Sequence, residues 1–214
     1  MKRIFVAIPC METVNTEFFQ SILGLKFGDL GAPRYGVSRS SLVYDARNSL
    51  AKVALDAGAE RIMWLDSDMT FEPDVIQRLS ADLDEGRDFV TGLCFKRKSP
   101  VLPVIYKETG YTQSEDLDKV TPFATIYEDY PKDSIFEVAG AGFACTMISA
   151  DLMREVYDVY GAPFAPQPGF GEDLSLCRRL EEMGVKMYCD SRIKVGHVAS
   201  TIVDEAFYLD GRQL

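Results

Sequence analysis

The chain has 214 residues, of which 47% are hydrophobic and 26% charged, a composition typical of a globular protein with its own core. Its net charge of −10 disfavours nucleic acid as a partner, although the short basic segment Phe95–Lys98 leaves that possibility open. No segment reaches the roughly 20 apolar residues of a membrane span, and five scattered cysteines without metal-site spacing indicate reduced core thiols in a cytoplasmic protein.

Apolar runs and helical periodicities alternate along the first part of the chain. The pattern predicts strands at 3–9, 61–65 and 88–94, and helices at 15–25, 41–58 and 72–86. Strands that alternate with helices in this way favour an α/β domain. We therefore expect a mostly parallel sheet with helices on both faces.

The segment 96–134 interrupts this alternation because it is polar and contains four prolines. Beyond it, the pattern predicts one long strand, a helix, a proline-rich loop, a second helix and two final strands. The strands are 135–148, 185–190 and 192–198, the helices are 150–161 and 172–184, and the loop is 162–171. Neither an internal repeat nor an interdomain linker stands out, so we expect a single domain.

Two carboxylates, Asp66 and Asp68, directly follow the apolar strand RIMWL. Side chains at i and i+2 of an extended segment point to the same side, so these charges repel each other and require a positive group nearby. In open α/β sheets ligands bind beyond the carboxyl ends of the strands. A divalent cation bound to a diphosphate would satisfy both conditions. Two other Asp-x-Asp pairs, Asp82/Asp84 and Asp116/Asp118, are interpreted as solvated surface.

Four segments resemble the family 2-like glycosyltransferases of the GT-A fold, in the order in which that family has them. WLDSDMTFEPDVIQRL (64–79) is similar to the Asp-x-Asp strand and its following helix, and VYDARNSLAKVALDAGA (43–59) to the helix before it. VAGAGFACTMISADLM (138–153) resembles the glycine-containing strand beside the donor sugar. GFGEDLSLCRRLEEMGVKMYCDSRIKVGHV (169–198) resembles the Glu-Asp helix and the strand that ends in a metal-binding histidine.

The resemblance implies a fold and an activity. The fold would be a single-domain GT-A, Rossmann-like three-layer sandwich, with the donor part at about 1–95 and the acceptor and catalytic part at about 96–214. The activity would be transfer of a sugar from a UDP- or GDP-linked donor to a hydroxyl of an unidentified acceptor. We expect 1–214 to be a minimal catalytic domain.

The resemblance also implies roles for single residues. Asp68 and His197, the only histidine, would hold Mn²⁺ or Mg²⁺, with Asp66 contacting the ribose or the metal's water shell. Asp173 would be the general base, which favours inversion, although a helix-capping role for Glu172 and Asp173 stays open, as does a structural role for His197. The residues expected to contact the donor are Pro9, Glu12, Arg47, Asn48, Asp66, Gly140 and Gly142.

Some alternatives remain at this point. Arg47 could instead form a salt bridge on a helix surface, and Phe95–Arg97 could line the acceptor site or form a solvated turn. A nucleotidyltransferase acting on a sugar phosphate would carry a glycine-rich, basic loop after its first strand, and IPCMETVN is neither. A non-catalytic GT-A-like binding module is disfavoured because Asp66, Asp68, Asp173 and His197 are all present.

Overall fold

The computed structural model describes residues 2–113 and 120–199. The helices are α1 (Thr16–Leu23), α2 (Val43–Asp56), α3 (Val75–Asp84), α4 (Ala150–Tyr160) and α5 (Glu172–Glu182), with a short 3-10 helix at Gly28–Leu30. The strands are β1 (Ile4–Cys10), β2 (Arg34–Arg39), β3 (Arg61–Leu65), β4 (Met69–Thr70), β5 (Phe89–Leu93), β6 (Ile105–Gln113), β7 (Val120–Ile126), β8 (Ile135–Val138), β9 (Gly140–Ala141), β10 (Cys145–Ser149), β11 (Met187–Lys194) and β12 (Gly196–His197).

A seven-stranded sheet in the order β2-β1-β3-β10-β5-β11-β8 forms the centre of the protein. Five of these strands run in one direction, while β10 and β8 run against their neighbours. The central strands β3 and β5 are buried along their whole length, as expected for strands covered on both faces. The predicted mostly parallel sheet is confirmed.

Helices cover both faces of this sheet and make the three predicted layers. On one face α2, α4 and α5 contribute apolar side chains such as Leu50, Met153 and Leu176 to one core. On the other face α1 and α3 contribute Phe18 and Ile76 to a second core. The two cores meet across the sheet, so the loops at its ends are anchored on a rigid frame.

One predicted strand, 135–148, is instead three short strands in three different positions. β8 and β10 belong to the central sheet, whereas β9 pairs with β6 in a small sheet completed by β7. Close packing at Gly140 accompanies this change, because a β-carbon there would lie 2.8 Å from the Leu174 side chain. The two final predicted strands, in turn, are one continuous β11 followed by β12.

Apart from the two-residue β4, two regions without a strand prediction also form strands. β2 is an exposed edge strand with the polar sequence RYGVSR, and its hydrophobic pattern is therefore weak. The segment that interrupts the alternation contains the β6–β7 hairpin. Of its residues only Ile105, Thr109 and Gly110 are buried, so the hairpin lacks the apolar run that marks a core strand.

Asp82 corrects the interpretation of the Asp82/Asp84 pair as solvated surface. Asp82 is buried on the side of α3 that contacts β11. Arg192 of β11 donates to Asp82 Oδ1 at 3.4 Å and also to both carboxylate oxygens of Asp190. Burial and the neighbouring Asp190 raise the pKa of Asp82 to about 6. Asp84 is about half exposed and pairs with Arg61, while Asp116/Asp118 lie outside the described residues.

The cysteines agree with the prediction of reduced thiols. All five lie in the described part of the chain and are free, and all but Cys10 are buried. Trp64 is fully buried in the first core. Within 2–113 and 120–199, no helix combines the length and the hydrophobicity required to cross a membrane.

Candidate active site

A cavity of about 500 Å³ opens at the carboxyl ends of β1, β2 and β3, the edge at which open α/β sheets bind ligands. Its walls include Pro9 from the end of β1, Ser40 and Ser41 after β2, and Asp66 and Asp68 after β3. The volume lies within the usual range for small-molecule pockets. Both polar and apolar groups line it, which suits a ligand that is partly charged.

Asp66 is held by a buried arginine. Arg47 Nη2 donates to both oxygens of Asp66 at 2.9 and 3.2 Å, and Arg47 Nε donates to Glu172 Oε1 at 3.2 Å. The Arg47 side chain is only 3% exposed and lies against the rings of Trp64, Phe143 and Phe164. The alternative of a surface salt bridge is therefore wrong, since this guanidinium joins the end of β3 to the start of α5.

Arg47 and Asp66 influence each other's pKa. Burial raises the pKa of Asp66, and Arg47 opposes that rise. Burial by itself would lower the pKa of Arg47, but the carboxylates of Asp66, Glu172 and Asp173 outweigh it and raise that pKa. Arg47 therefore stays charged and provides the positive group that Asp66 needs.

Asp68 lies beside a different pair of groups. Arg97 Nη1 donates to Asp68 Oδ2 at 2.7 Å, and His197 Nε2 lies 3.2 Å from the same oxygen. The histidine reaches this position because β12 pairs with β4, so that His197 lies opposite Met69. The Val198 N–H donates to the Asp68 carbonyl at 2.8 Å and continues this pairing. The 129-residue gap between Asp68 and His197 is thus closed by main-chain contacts.

The orientation of the His197 ring follows from its other nitrogen. Nδ1 lies 3.0 Å from the carbonyl oxygen of Phe95, which can only accept a hydrogen bond, so Nδ1 is the donor. The remaining nitrogen, Nε2, then faces Asp68 Oδ2. Fixing one ring nitrogen in this way is how proteins orient a metal-binding imidazole.

The residues fit a divalent cation that completes its shell from a ligand. No cluster of three or more His, Cys, Asp or Glu side chains suited to a metal occurs within the described ranges. Asp68 and His197 could offer a cation such as Mn²⁺ one oxygen and one nitrogen donor, and its other ligands would have to come from a phosphate and water. Asp66 is less suited to direct coordination because both of its oxygens accept from Arg47.

Asp173 is part of the first turn of α5, where the N-cap residue is Gly171. Its Oδ1 accepts from the Leu174 N–H at 2.7 Å, a local bond that fits the helix-terminus alternative. Burial and the adjacent Glu172 nevertheless raise the pKa of Asp173 to about 6. A carboxylate with a pKa near the working pH is suited to proton transfer.

The predicted donor-contacting residues do not all lie in the cavity. Pro9, Arg47 and Asp66 line it, and Gly142 lies beside Asp173, whose Oδ2 would be 3.7 Å from an added β-carbon. The side chain of Glu12 is exposed outside the lining.

Asn48 and Gly140 are engaged elsewhere. Asn48 Oδ1 accepts from the Phe164 N–H at 3.0 Å, and Gly140 packs against Leu174. Their contacts to a donor stay predictions.

Two residues of the site have roles that the sequence patterns did not indicate. Glu172 pairs with Arg47, Arg97 pairs with Asp68, and both residues line the cavity. The basic segment around Arg97 was the available signal, but it suggested an acceptor site or a solvated turn. Nothing in the sequence indicates that this loop folds back onto Asp68.

Comparisons with known proteins support the fold. No protein-family model and no curated protein matches the sequence. Among solved structures, A197 from STIV matches with a TM-score of 0.58 and 20% identity, covering 94% of this chain and 87% of that one. GalNAc-T7 with UDP, GalNAc and Mn²⁺ matches with a TM-score of 0.60 and 11% identity, covering 93% of this chain and 43% of that one. These likenesses confirm a GT-A-like fold.

Proposed function

We propose that this protein is a metal-dependent glycosyltransferase that moves a sugar from a nucleoside-diphosphate sugar to an acceptor hydroxyl. The observation that carries the proposal is the contact of His197 with Asp68, which lines the cavity together with Asp66. The fold supports it, because GalNAc-T7, a neighbour in structure, was crystallised with UDP, GalNAc and Mn²⁺.

The donor would lie with its diphosphate at Asp68 and its nucleoside toward the ends of β1 and β2. Asp68 and His197 would hold Mn²⁺ or Mg²⁺, which, when bound, stabilises negative charge on the departing UDP or GDP. The hydroxyl groups of Ser40, Ser41 and Thr13 also line the cavity and can hydrogen-bond a ribose or base. The buried Arg47 fixes Asp66 at the edge of this site.

Asp173 would act as the general base. Its Oδ1 is occupied by the Leu174 N–H, which leaves Oδ2 to take the proton of the acceptor hydroxyl. The oxygen so activated attacks the anomeric carbon while the bond to the diphosphate breaks, and direct displacement from the opposite face inverts the configuration. A pKa of about 6 keeps Asp173 ionised at neutral pH and still basic enough to accept a proton.

Ligand binding tests the donor site. Purified protein is screened by thermal shift with UDP or GDP in Mn²⁺ and in EDTA, since a ligand that binds only the native state raises the melting temperature. We expect stabilisation only with the cation, and its loss in Asp68→Asn and His197→Ala. Asp158→Asn, an exposed carboxylate on α4, is the matched control and should behave as wild type. Equal stabilisation by either nucleotide in EDTA would exclude a metal bridge.

A second measurement tests the chemistry. Panels of UDP- and GDP-linked sugars are incubated with the protein and Mn²⁺, and release of the free nucleoside diphosphate is followed with and without candidate acceptors. A transferase releases the nucleoside diphosphate slowly when water receives the sugar, and faster when the correct acceptor receives it. Binding without any release from any of the donor sugars would favour the non-catalytic module instead.

A further inference from the structure

Arg97 pairs with the Asp68 oxygen that also faces His197, which is the oxygen that a cation held between these two residues would use. Its Nη1 donates to Asp68 Oδ2 at 2.7 Å, and this is the same oxygen that His197 Nε2 faces at 3.2 Å. The side chain is 51% exposed and also lines the cavity. Unlike Arg47, which is enclosed by three aromatic rings, Arg97 can leave its carboxylate at little cost.

The loop that carries Arg97 is held at its base and exposed at its tip. Phe95 and Pro103 form an antiparallel bridge, and the Lys96 N–H donates to the Leu102 carbonyl at 2.9 Å. Arg97 is the first residue beyond this closure. The base of the same loop supplies the Phe95 carbonyl that orients His197, so one short segment contacts Asp68 directly and through the histidine.

We propose that Arg97 exchanges partners during donor binding, from the Asp68 carboxylate to the diphosphate of the donor. This inference rests on the proposed function. A guanidinium and a divalent cation repel each other at one carboxylate oxygen, so a cation held between Asp68 and His197 would compete with Arg97 for Oδ2. When the cation takes Asp68, Arg97 is displaced into the same cavity, where the donor's phosphates offer the planar, bidentate acceptor that arginine prefers.

The exchange makes cation binding and nucleotide binding cooperative. Without a nucleotide, Arg97 competes with the cation for Asp68 and weakens cation binding. With a diphosphate present, Arg97 has a second anionic partner and the competition ends. Since coupling between two ligands is reciprocal, the cation strengthens nucleotide binding by the same factor.

Two titrations of the full chain test the exchange, using Arg97→Gln with Lys98→Gln as the matched control. Lys98 is exposed on the same loop, forms no ion pair within the described ranges, and its substitution changes the net charge equally. Calorimetry measures Mn²⁺ alone and then UDP and GDP at saturating Mn²⁺. We expect Arg97→Gln to bind Mn²⁺ about tenfold more tightly than wild type and the preferred nucleotide about tenfold more weakly.

The control and the conservative variant separate this exchange from a general charge effect. Lys98→Gln should leave both affinities within twofold of wild type. The affinities of Arg97→Lys should lie between those of Arg97→Gln and wild type, because lysine keeps the charge but lacks the planar group that makes two parallel hydrogen bonds. If Arg97→Gln shows only one of the two opposite changes, or neither, the exchange is wrong while the proposed function stands. If wild type binds neither nucleotide with Mn²⁺, the proposed function fails and the exchange fails with it.

Discussion

Arg47 is the side chain on which the geometry of the site depends, and replacing it with methionine should destabilise the protein. Methionine retains most of the aliphatic length that packs on the rings of Trp64, Phe143 and Phe164, so the substitution chiefly removes charge and hydrogen bonds. It leaves Asp66 and Glu172 without their shared partner. Two carboxylates would then face each other at the junction of β3 and α5.

The size of the expected loss of stability follows from the burial of Arg47, Asp66 and Glu172. Removing one member of a buried ion pair costs about 3–5 kcal/mol, because the remaining charge is left uncompensated. Asp66 and Glu172 retain 29% and 16% exposure of their side chains, which places the expected loss near the lower limit, at about 3 kcal/mol. For a domain of this size, such a loss corresponds to a fall in melting temperature of about 6–12 °C.

Urea unfolding and calorimetry measure this loss, with Arg154→Met as the control. Arg154 pairs with Asp151 on the exposed surface of α4, and removing that pair should change stability by less than about 1 kcal/mol. Adding Asp66→Asn to Arg47→Met should recover part of the loss, since the second substitution removes one uncompensated charge. An Arg47→Met protein within 1 kcal/mol of wild type would refute the view that this guanidinium holds the site together.

Two further predictions concern carboxylates whose pKa is raised. Asp173→Asn should bind the nucleotide with an affinity within a few-fold of wild type, while its turnover falls by about 10²–10⁴. The kcat/KM of wild type should rise with pH through about 6 as Asp173 ionises. Near-normal turnover of the variant would leave Asp173 only a structural role at the start of the helix. The folded-state pKa of Asp82 is about 6, above its ordinary value of 3.8, so its contribution to stability is present below pH 3.8 and is lost as pH rises through about 6. The free energy of unfolding of Asp82→Asn should therefore equal that of wild type at pH 4 and exceed it by about 1–2 kcal/mol at pH 8, after allowance for partial solvent screening. Urea unfolding of both proteins at each pH measures the difference. A variant less stable than wild type at pH 8 would contradict the prediction.

The fold was predictable where burial dictates the sequence pattern. RIMWL is buried along its whole length, and the four apolar residues after Arg61 mark it as a core strand, so its limits were predicted without error. β2 lies at the edge of the sheet, and its burial does not constrain its polar residues, so no pattern marks it. The segment 135–148 misled the prediction because three separate strands each require apolar residues, and their joints contain small residues that also suit a strand.

The site was predictable to the extent that main-chain topology brings residues together. The carboxyl ends of β1 and β3 meet at one edge, which places Pro9 and Asp66 at a common cavity. Side-chain pairing across long sequence gaps follows no such rule. Arg47 lies on the inner face of α2 and reaches Glu172, 125 residues later, through contacts that no local spacing reveals.

The two aspartates are similarly exposed, and the different burial of their arginine partners, 3% exposed for Arg47 and 51% for Arg97, distinguishes the two ion pairs. Each has its own arginine, so no cation is needed to keep the carboxylates from repelling each other. The Asp66 pair is enclosed and keeps its geometry, because separating buried charges is costly. The Asp68 pair is open to solvent, where an ion pair contributes at most about 1 kcal/mol and a ligand can replace it. A carboxylate held in place beside one whose ion pair a ligand can replace would give the proposed donor a rigid reference and its cation a coordination position.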